Sequence, residues 1–228
     1  MPFVITKPCV DMKDVTIIIP ARKGSVGFPG KNRFLFDYTA SIIPEDMREN
    51  VVFTSDDEHL LQRSKDLGFR TIHRNQDLSL DSTSMRDVIS NVVTELNLEQ
   101  DHDVITLYLT YPQRTWDDVQ KIYDFYTKNG NGSLLCRKEL KVHPYMCFLE
   151  NKNHTGTKVV EHQLYRRQEY PPCFECCHYV VVTRVGKLQE LDLNLFCNDT
   201  VFYQLQDKIF DIDYMEDLDN FKKDDLND

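Results

Sequence analysis

Short apolar runs alternate with amphipathic segments along the first half of the chain. The runs VTIIIP (Val15 to Pro20), VVFTS (Val51 to Ser55) and VITLYL (Val104 to Leu109) are continuous and rich in β-branched residues. Such runs are typical of strands that are buried on both faces. We therefore predict three buried strands in this part of the chain.

Segments with helical spacing lie between and after these runs. The segment DDEHLLQRSKDLG closes at Gly68, a second helix is predicted to begin after Ser84, and a third after Thr115. Ser84 and Thr115 each stand three residues before an aspartate, as in a capping box. The residues predicted to face inward are Leu60, Leu61 and Leu67 in the first helix, Met85, Val88, Ile89, Val92, Val93 and Leu96 in the second, and Val119, Ile122 and Tyr126 in the third.

Repeated strand–helix units force parallel strands with right-handed crossovers, and helices then cover both faces of the sheet. The sequence therefore predicts an α/β fold with a Rossmann-like, doubly wound, mostly parallel sheet. Residues 140–170 fit this pattern poorly and are predicted to form an arm outside the sheet. With 228 residues, no internal repeat and no low-complexity linker, we expect one domain over residues 1–228.

Composition narrows the classes of partner. The net charge of −10 and the pI of about 5.2 argue against a nucleic-acid binder. No apolar stretch approaches the ~20 residues of a membrane span, and MPFVITKPCVDMK lacks the apolar core of a signal peptide. Seven cysteines are an odd number, so we interpret them as reduced thiols. These features predict a cytoplasmic protein that binds neither nucleic acid nor membrane.

The stretch IIPARKGSVGFPGKN gathers glycines and positive charge directly after the first predicted strand. Gly24, Gly27 and Gly30 allow backbone N–H groups to approach an anion, while Arg22 and Lys31 supply cationic donors for phosphate oxygens. The spacing matches neither a Walker loop nor a G-x-G-x-x-G loop. The stretch is thus either a triphosphate-binding loop or an ordinary surface turn.

A second candidate element is the segment KIFDIDYMEDL near the end of the chain. Asp211 and Asp213 stand two residues apart, so on a strand they point to the same face. Two such carboxylates suit Mg²⁺, which completes its coordination with water and phosphate oxygens. The alternative is a solvated acidic strand end.

Motifs along residues 15–221 resemble, in the same order, those of the acylneuraminate cytidylyltransferases, the CMP-sialic acid synthetases. PARKGSVGFPGKN resembles P-A-R-x-G-S-K-G-[IL]-P-x-K-N, FTSDDEHLL resembles V-S-T-D-D-x-x-I, and LYLTYPQRTWDDV resembles L-Q-P-T-S-P-L-R-x-x-x-D-I. HRNQDLSLDSTSMRDVI, DIDYMEDL and the R-R-Q of residues 166–168 also match. Kdo cytidylyltransferases share the P-G-K element, but Asn32 and R-R-Q favour the acylneuraminate branch.

The resemblance implies a reaction and its participants. The anomeric hydroxyl of a sialic-type sugar acid would attack the α-phosphate of CTP, releasing pyrophosphate with Mg²⁺ as cofactor. The arm at 140–170 resembles the family's dimerisation segment and implies a homodimer. The implied site residues are Arg22, Lys31 and Asp213 for catalysis, Arg22, Gly24, Ser25, Lys31, Asn32, Arg74 and Ser82 for the nucleotide, Tyr108, Arg167 and Gln168 for the sugar acid, and Asp211 and Asp213 for the metal.

The chain departs from the family pattern at several positions. Val26 replaces a loop lysine, Tyr108 replaces a glutamine, Tyr111 replaces a serine, and Cys176-Cys177 replaces Asn-Gly. The region between residues 32 and 51 is shorter than in the family, which predicts a trimmed first crossover helix.

These departures leave three alternatives open: a catalytically impaired nucleotide-binding protein of the same fold, an enzyme with a different sugar, and one with a different base. A zinc site at Cys173, Cys176, Cys177 and His178 is a further alternative. We disfavour the zinc site because neighbouring Cys177 and His178 would point to opposite faces of a strand.

Overall fold

The computed structural model describes residues 12–24, 27–130, 132–206 and 208–225. Its strands are β1 (Val15–Ala21), β2 (Val51–Ser55), β3 (Arg70–His73), β4 (Asp103–Thr106), β5 (Ser133–Glu139), β6 (Phe148–Glu150), β7 (Gly156–Lys158), β8 (Phe174–Arg184) and β9 (Val201–Gln204). Seven of them form one sheet in the order β3-β2-β1-β4-β8-β5-β9, while β6 and β7 form a separate hairpin. Only β8 is antiparallel to its neighbours in the large sheet, so the mostly parallel α/β fold is confirmed.

In the described residues, five α-helices accompany the sheet: α1 (Lys31–Ser41), α2 (Glu58–Asp66), α3 (Met85–Leu96), α4 (Trp116–Asn129) and α5 (Met215–Asp225). The predicted helix starts are correct, because Ser84 accepts a hydrogen bond from the backbone of Asp87 and Thr115 forms a complete capping box with Asp118. These caps satisfy backbone N–H groups that a helix start leaves without an intrahelical partner.

Alternate residues of the central strand face opposite layers, which makes the sheet doubly wound. Ile17 and Ile19 pack with α1, α2, α4 and α5, whereas Ile18 packs with α3 and the 3₁₀ helix Val185–Glu190. All three isoleucines are fully buried. The continuous apolar run of β1 thus reflects two cores rather than one.

Two sequence expectations need correction. The third predicted strand stops at Thr106, because the chain turns after it and only Leu107 continues the bonding, to the carbonyl of Ile18. The first crossover contains the eleven-residue helix α1, and its trimming relative to the family stays a prediction. The segment before Asp213 is not a strand, because in its described residues a single backbone–backbone hydrogen bond, from the N–H of Ile212 to the carbonyl of Thr110, joins it to the turn after β4.

Residues 140–170 lie outside the large sheet, as predicted for an arm. The arm contains the β6–β7 hairpin and an aromatic cluster of His143, Tyr145, His162 and Tyr170, whose neighbouring ring centroids are 4.4 to 5.4 Å apart. A role of this arm in dimerisation stays a prediction. Within the described ranges, no helix has both the length and the apolar character that crossing a membrane requires.

Candidate functional site

A cavity of about 340 Å³ lies beyond the carboxyl ends of β1 and β4. The chain order reverses between these two strands, since β2 and β3 lie on one side of β1 and β4 lies on the other. Open α/β sheets bind ligands at such switch points. The cavity is lined by parts of the loop after β1, the first turn of α1, the loop from Arg74 to Thr83, the turn after β4, and Asp213 with Tyr214.

The start of α1 directs positive charge at the cavity. Gly30 caps this helix with φ of 77°, a left-handed conformation that favours glycine. The first helical turn contains no acidic side chain, and its first two residues, Lys31 and Asn32, line the cavity. Backbone N–H groups at a helix start attract anions, so this arrangement suits phosphate.

Two cations of the cavity are paired with carboxylates from distant parts of the chain. Lys31 Nζ lies 2.7 Å from Asp213 Oδ1, and the guanidinium of Arg22 forms an ion pair with Asp81. Asn32 Nδ2 donates to the carbonyl of Arg22 over 2.8 Å, which ties the start of α1 to the end of β1. The basic loop therefore faces the cavity rather than bulk solvent alone, which favours the ligand interpretation over a plain surface turn.

Arg74 contributes a buried cation to the same wall. Its side chain donates to the carbonyl of Thr54 over 2.9 Å, and only 4% of the residue is exposed. Burial lowers the pKa of Arg74 to about 10, against the opposing effect of the Asp56 charge. Its Nε atom has no hydrogen-bond partner in the described part of the chain. A buried guanidinium with an unused donor is a strong anchor for a polar ligand.

The turn after β4 is held from beneath by a buried arginine. Arg114 donates to the carbonyls of Tyr179 and Tyr108 and to Thr39 Oγ1, and burial lowers its pKa to about 10. Tyr108 lines the cavity, and its ring centroid lies 5.5 Å from that of His178. Burial also raises the pKa of Tyr108, which keeps its hydroxyl protonated.

His178 in turn lines another cavity of about 660 Å³, together with aromatic residues and two thiols. Phe174, Phe196 and Phe202 supply most of its apolar wall, and Cys173 and Cys176 line it as well. The contact between Tyr108 and His178 therefore separates a charged cavity from a more apolar one. We call these the charged cavity and the aromatic cavity.

The two predicted metal carboxylates flank the buried Ile212. Asp213 lines the charged cavity, while Asp211 borders a groove next to α5 and accepts a hydrogen bond from the Tyr111 hydroxyl over 2.7 Å. The Asp217 carboxylate accepts the backbone N–H groups of Asp213 and Tyr214, which fixes the turn before α5. Each carboxylate is thus oriented by a specific partner.

This donor set is compatible with a hard cation only if other oxygens complete it. In the described ranges, no group of three or more His, Cys, Asp or Glu residues is placed to hold a metal. Asp213 lies beside the basic loop through its ion pair with Lys31, whereas Asp211 lines the neighbouring groove and not the charged cavity, so a cation held by both carboxylates stays a prediction. Residues 173–178, all of which the structure describes, therefore do not form such a group. Cys177 is buried, whereas His178 is partly exposed.

The structure does not bring every predicted residue to the charged cavity. Gly24 is exposed and faces open space, and Ser82 is exposed between the lining residues Asp81 and Thr83. Arg167 and Gln168 are exposed on a short 3₁₀ helix of the arm and line none of these cavities. Ser25, like Val26, lies outside the described residues.

Sequence reasoning missed several residues of the site. Asp81, Tyr214 and Asp217 all touch its charged elements, yet none was singled out. Asp81 lies in the segment HRNQDLSLDSTSMRDVI and Asp217 in DIDYMEDL, and the match of these segments to the family motifs is the signal that points to them. Tyr214 has no such signal, because its contact with Gly27 depends on the packing of two distant segments.

Comparisons with known proteins bear on the fold and on the class of reaction. No protein-family model matches the chain. N-acylneuraminate cytidylyltransferase of Streptococcus agalactiae serotype III is 23% identical over 167 residues, which are 69% of this chain and 40% of that protein. The serotype V protein gives the same figures. The chain is similar to acylneuraminate cytidylyltransferases. It spans less than half the length of these curated relatives.

Solved structures confirm the fold. A CMP:2-keto-3-deoxy-manno-octonic acid synthetase solved with CTP matches 93% of this chain and 98% of its own, with 16% identity and a TM-score of 0.64. A 4-diphosphocytidyl-2C-methyl-D-erythritol synthase from Anaerococcus prevotii matches 96% of this chain with 13% identity and a TM-score of 0.58. The resemblance noted in the sequence is thus confirmed, together with the Rossmann-like fold.

Proposed function

We propose that this protein is a cytidylyltransferase that transfers CMP from CTP to the anomeric hydroxyl of a nonulosonic, sialic-type acid and releases pyrophosphate. The observation that carries the proposal is the convergence of Arg22, Lys31, Arg74 and Asp213 on one cavity at the switch point of the sheet. The similarity to N-acylneuraminate cytidylyltransferases supports the same reaction class.

The loop after β1 and the start of α1 would bind the triphosphate. Arg22 and Lys31 would exchange their present carboxylate partners for phosphate oxygens, and Asn32 and Arg74 would hold the nucleoside. During transfer, these cations neutralise the charge that develops on the leaving pyrophosphate. Most of the rate enhancement would therefore come from positioning and electrostatics, with little covalent chemistry by the protein.

Asp211 and Asp213 would hold Mg²⁺ together with phosphate oxygens. When bound, the cation polarises the α-phosphate and compensates its negative charge. Asp213 also keeps Lys31 at the cavity through their ion pair. The Asp213 carboxylate would thus orient both Mg²⁺ and the Lys31 ammonium toward the phosphates.

The sugar acid would enter from the aromatic cavity, next to Tyr108 and His178. Its anomeric hydroxyl would then approach the α-phosphate across the contact between these two rings. Arg167 and Gln168 are exposed on the arm, so in a homodimer they would complete the site of the second copy. A guanidinium suits the sugar carboxylate through two parallel hydrogen bonds.

Pyrophosphate release tests the proposal directly. The purified protein would be incubated with CTP and Mg²⁺, and separately with N-acetylneuraminic, legionaminic, pseudaminic or Kdo acid added. We expect release that requires both CTP and one nonulosonic acid, and that is lost in Asp213→Asn and on chelation of the metal. Equal pyrophosphate release with UTP or ATP would contradict the assignment of CTP as the nucleotide substrate.

A non-catalytic nucleotide-binding protein is the second candidate. The side chain of Cys177, where the family has glycine, and the tyrosine at position 108 are the observations that favour it, because both alter the region proposed for the sugar. Binding of CTP without release from any sugar acid would support this second candidate. Release with a sugar outside the sialic type would instead point to the alternative substrate.

A further inference from the structure

The aromatic cavity contains an arginine that no carboxylate neutralises. Arg137 lines this cavity, and none of the ion pairs in the described part of the chain includes it. Among the described residues, its one hydrogen bond runs from Nε to Gln204 Oε1 over 3.1 Å. Both Nη nitrogens are therefore available to a ligand. Position 137 lies in none of the segments that match the family motifs, so the resemblance assigns it no role.

Strand alternation explains why Arg137 faces this cavity. Cys136 of β5 is buried in the core that also holds α4, so the next side chain, that of Arg137, points to the opposite face of the sheet. Its neighbours in register are Cys176 of β8 and Gln204 of β9. Cys176 lines the aromatic cavity, as does His178 two residues farther along β8. The guanidinium thus projects from the sheet into the cavity.

Two contacts hold the guanidinium in one place. Its Cζ atom lies 3.9 Å from the centroid of the Phe174 ring, and Gln204 accepts from its Nε. Contact with an aromatic face stabilises a cation by about 0.5–1 kcal/mol at exposed sites. A guanidinium that is already fixed can offer its planar fork to a carboxylate or phosphate, which accepts two parallel hydrogen bonds.

The other ionisable groups that line this cavity and make polar contacts hold the loop after β8. Asp192 Oδ1 accepts the backbone N–H groups of Asn194 and Phe196 over 2.8 and 3.0 Å. His178 Nε2 donates to the carbonyl of Asn194 over 3.1 Å. An anionic ligand can therefore bind Arg137 without breaking a contact of this loop.

Arg137 lies too far from the charged cavity to bind a carboxylate next to the reacting hydroxyl. The two cavities meet at the contact between Tyr108 and His178. Phe174, on which the guanidinium rests, precedes His178 by four residues of β8, which corresponds to about 13 Å of strand. In a sialic-type acid the carboxylate is bonded to the anomeric carbon itself. Only a group near the opposite end of the acceptor can reach Arg137.

We propose that the aromatic cavity binds an acidic group, a carboxylate or a phosphate monoester, at the end of the acceptor remote from its anomeric hydroxyl, and that Arg137 is the residue that selects it. The proposal rests on the proposed function, since it concerns the acceptor of that reaction. Phe174, Phe196 and Phe202 would pack against the apolar carbons that precede the acidic group.

Direct binding of small probes tests the acidic subsite without nucleotide or turnover. Fluorine NMR would measure the affinities of 4-fluorophenylacetate and its neutral amide, 4-fluorophenylacetamide, for the full chain. We expect the carboxylate to bind about tenfold more tightly than the amide, because it accepts charge-assisted hydrogen bonds from Arg137. This comparison in the wild type does not depend on the folding of any variant.

Arg137→Met should abolish the preference for the carboxylate. Lys138→Met is the matched control, because it removes the same charge from the neighbouring residue of β5, which lines the groove next to α5 and not the aromatic cavity. The preference should survive in Lys138→Met. Equal affinities of the two probes in the wild type, no binding of either probe, or a preference that persists in Arg137→Met would each overturn the proposal.

Steady-state pyrophosphate release then tests the acceptor itself. The acceptors would be N-acetylneuraminic acid, its terminal phosphate ester, and its derivative with the terminal carbon oxidised to a carboxylate. We expect at least one acidic acceptor to have a KM about tenfold lower than the parent acid, and this advantage to disappear in Arg137→Met but not in Lys138→Met. The two acidic acceptors distinguish a phosphate from a carboxylate.

The outcomes separate this proposal from the proposed function. Equal KM values for all three acceptors would overturn the acidic end group and leave the transferase intact. No release with any acceptor would contradict the proposed function. In that case the probe measurements still decide whether Arg137 binds an acidic group in the aromatic cavity.

Discussion

Lys31 Nζ lies 2.7 Å from Asp213 Oδ1, although 182 positions separate the two residues. Only 11% of the Lys31 side chain is exposed, so the ammonium is held at the wall of the charged cavity. Gly27 of the same loop packs against the backbone of Asp213 and the ring of Tyr214. The basic loop after β1 and the acidic segment before α5 therefore form one structural unit.

Removal of the Lys31 charge should weaken catalysis. Lys31→Met keeps most of the side-chain volume but loses a charge-assisted contact to phosphate, so we expect kcat/KM for CTP to fall about 10- to 100-fold. Lys23→Met is a matched control, because Lys23 lies in the loop just before α1 but does not line the charged cavity. Steady-state pyrophosphate release would measure both. Equal activity of the two variants would contradict the role of Lys31.

Gly27 should not tolerate a side chain. A Cβ atom at this position would lie 2.9 Å from the carbonyl oxygen of Asp213 and 2.9 Å from the Tyr214 ring. Gly27→Ala must therefore displace the acidic segment, and we expect a loss of about 1–3 kcal/mol in the free energy of unfolding together with weaker CTP binding.

The matched control for Gly27→Ala is Gly24→Ala. A Cβ atom at Gly24 meets nothing within 4 Å. Its free energy of unfolding should change by no more than about 0.5 kcal/mol. Urea denaturation would compare the two variants, and similar losses in both would argue against the packing of Gly27 on Asp213.

Asp81 should compete with CTP for Arg22. The two side chains form a partly exposed ion pair at the cavity, so a triphosphate must displace the carboxylate. Exposed pairs contribute about 0–1 kcal/mol, and Asp81→Asn should therefore tighten CTP binding by up to about fivefold. Asp77→Asn carries the same charge change on the same loop without lining the cavity. Calorimetric titration with CTP would distinguish them, and an equal gain in both would indicate a general charge effect.

Asp57 should make the fold sensitive to acid. Its carboxylate caps α2 and accepts both a 2.6 Å and a 2.9 Å bond from Arg33, which lowers the pKa of Asp57 although burial opposes the shift. The unfolded chain then binds more protons than the folded one between the lowered pKa and the ordinary value of about 4. Stability from Asp57 is complete above that ordinary value and is lost as the pH falls through the lowered pKa.

The variant Asp57→Ala tests this dependence. We expect it to lower the free energy of unfolding at pH 7 by about 1 kcal/mol or more through loss of the cap. The difference from the wild type should shrink as the pH is lowered from 5 to 3. Denaturant titrations across this range would measure it, and a difference independent of pH would show that the charge of Asp57 has no part.

Periodicity and caps were sufficient to predict much of the fold. The continuous run around Ile18 and the caps at Ser84 and Thr115 are local signals, and the structure follows them. The helix α1 shows only a weak amphipathic pattern in the sequence, because Thr39 is polar although it is buried and Phe34 is apolar although it is exposed. Its packing against the sheet, rather than its own pattern, stabilises it.

Sequence patterns could not predict the contacts between segments that lie far apart in the chain. The hydrogen bond from Tyr111 to Asp211 joins residues 100 positions apart. The ion pair of Arg22 and Asp81 joins residues 59 positions apart. In the sequence, Tyr111 is a departure from the family pattern. In the structure, its hydroxyl donates a hydrogen bond to the Asp211 carboxylate. A contact of this kind can be recognised only in the folded chain, where the turn after β4 lies next to β8 and the acidic segment before α5.

A crystal structure of the protein with CTP and Mg²⁺ would test the central claim most directly. The account predicts that the triphosphate occupies the charged cavity, with Arg22 and Lys31 on its phosphate oxygens, and that the pairing of Arg22 with Asp81 is broken. Density for the nucleotide outside this cavity, or an unliganded cavity at saturating CTP, would contradict the account.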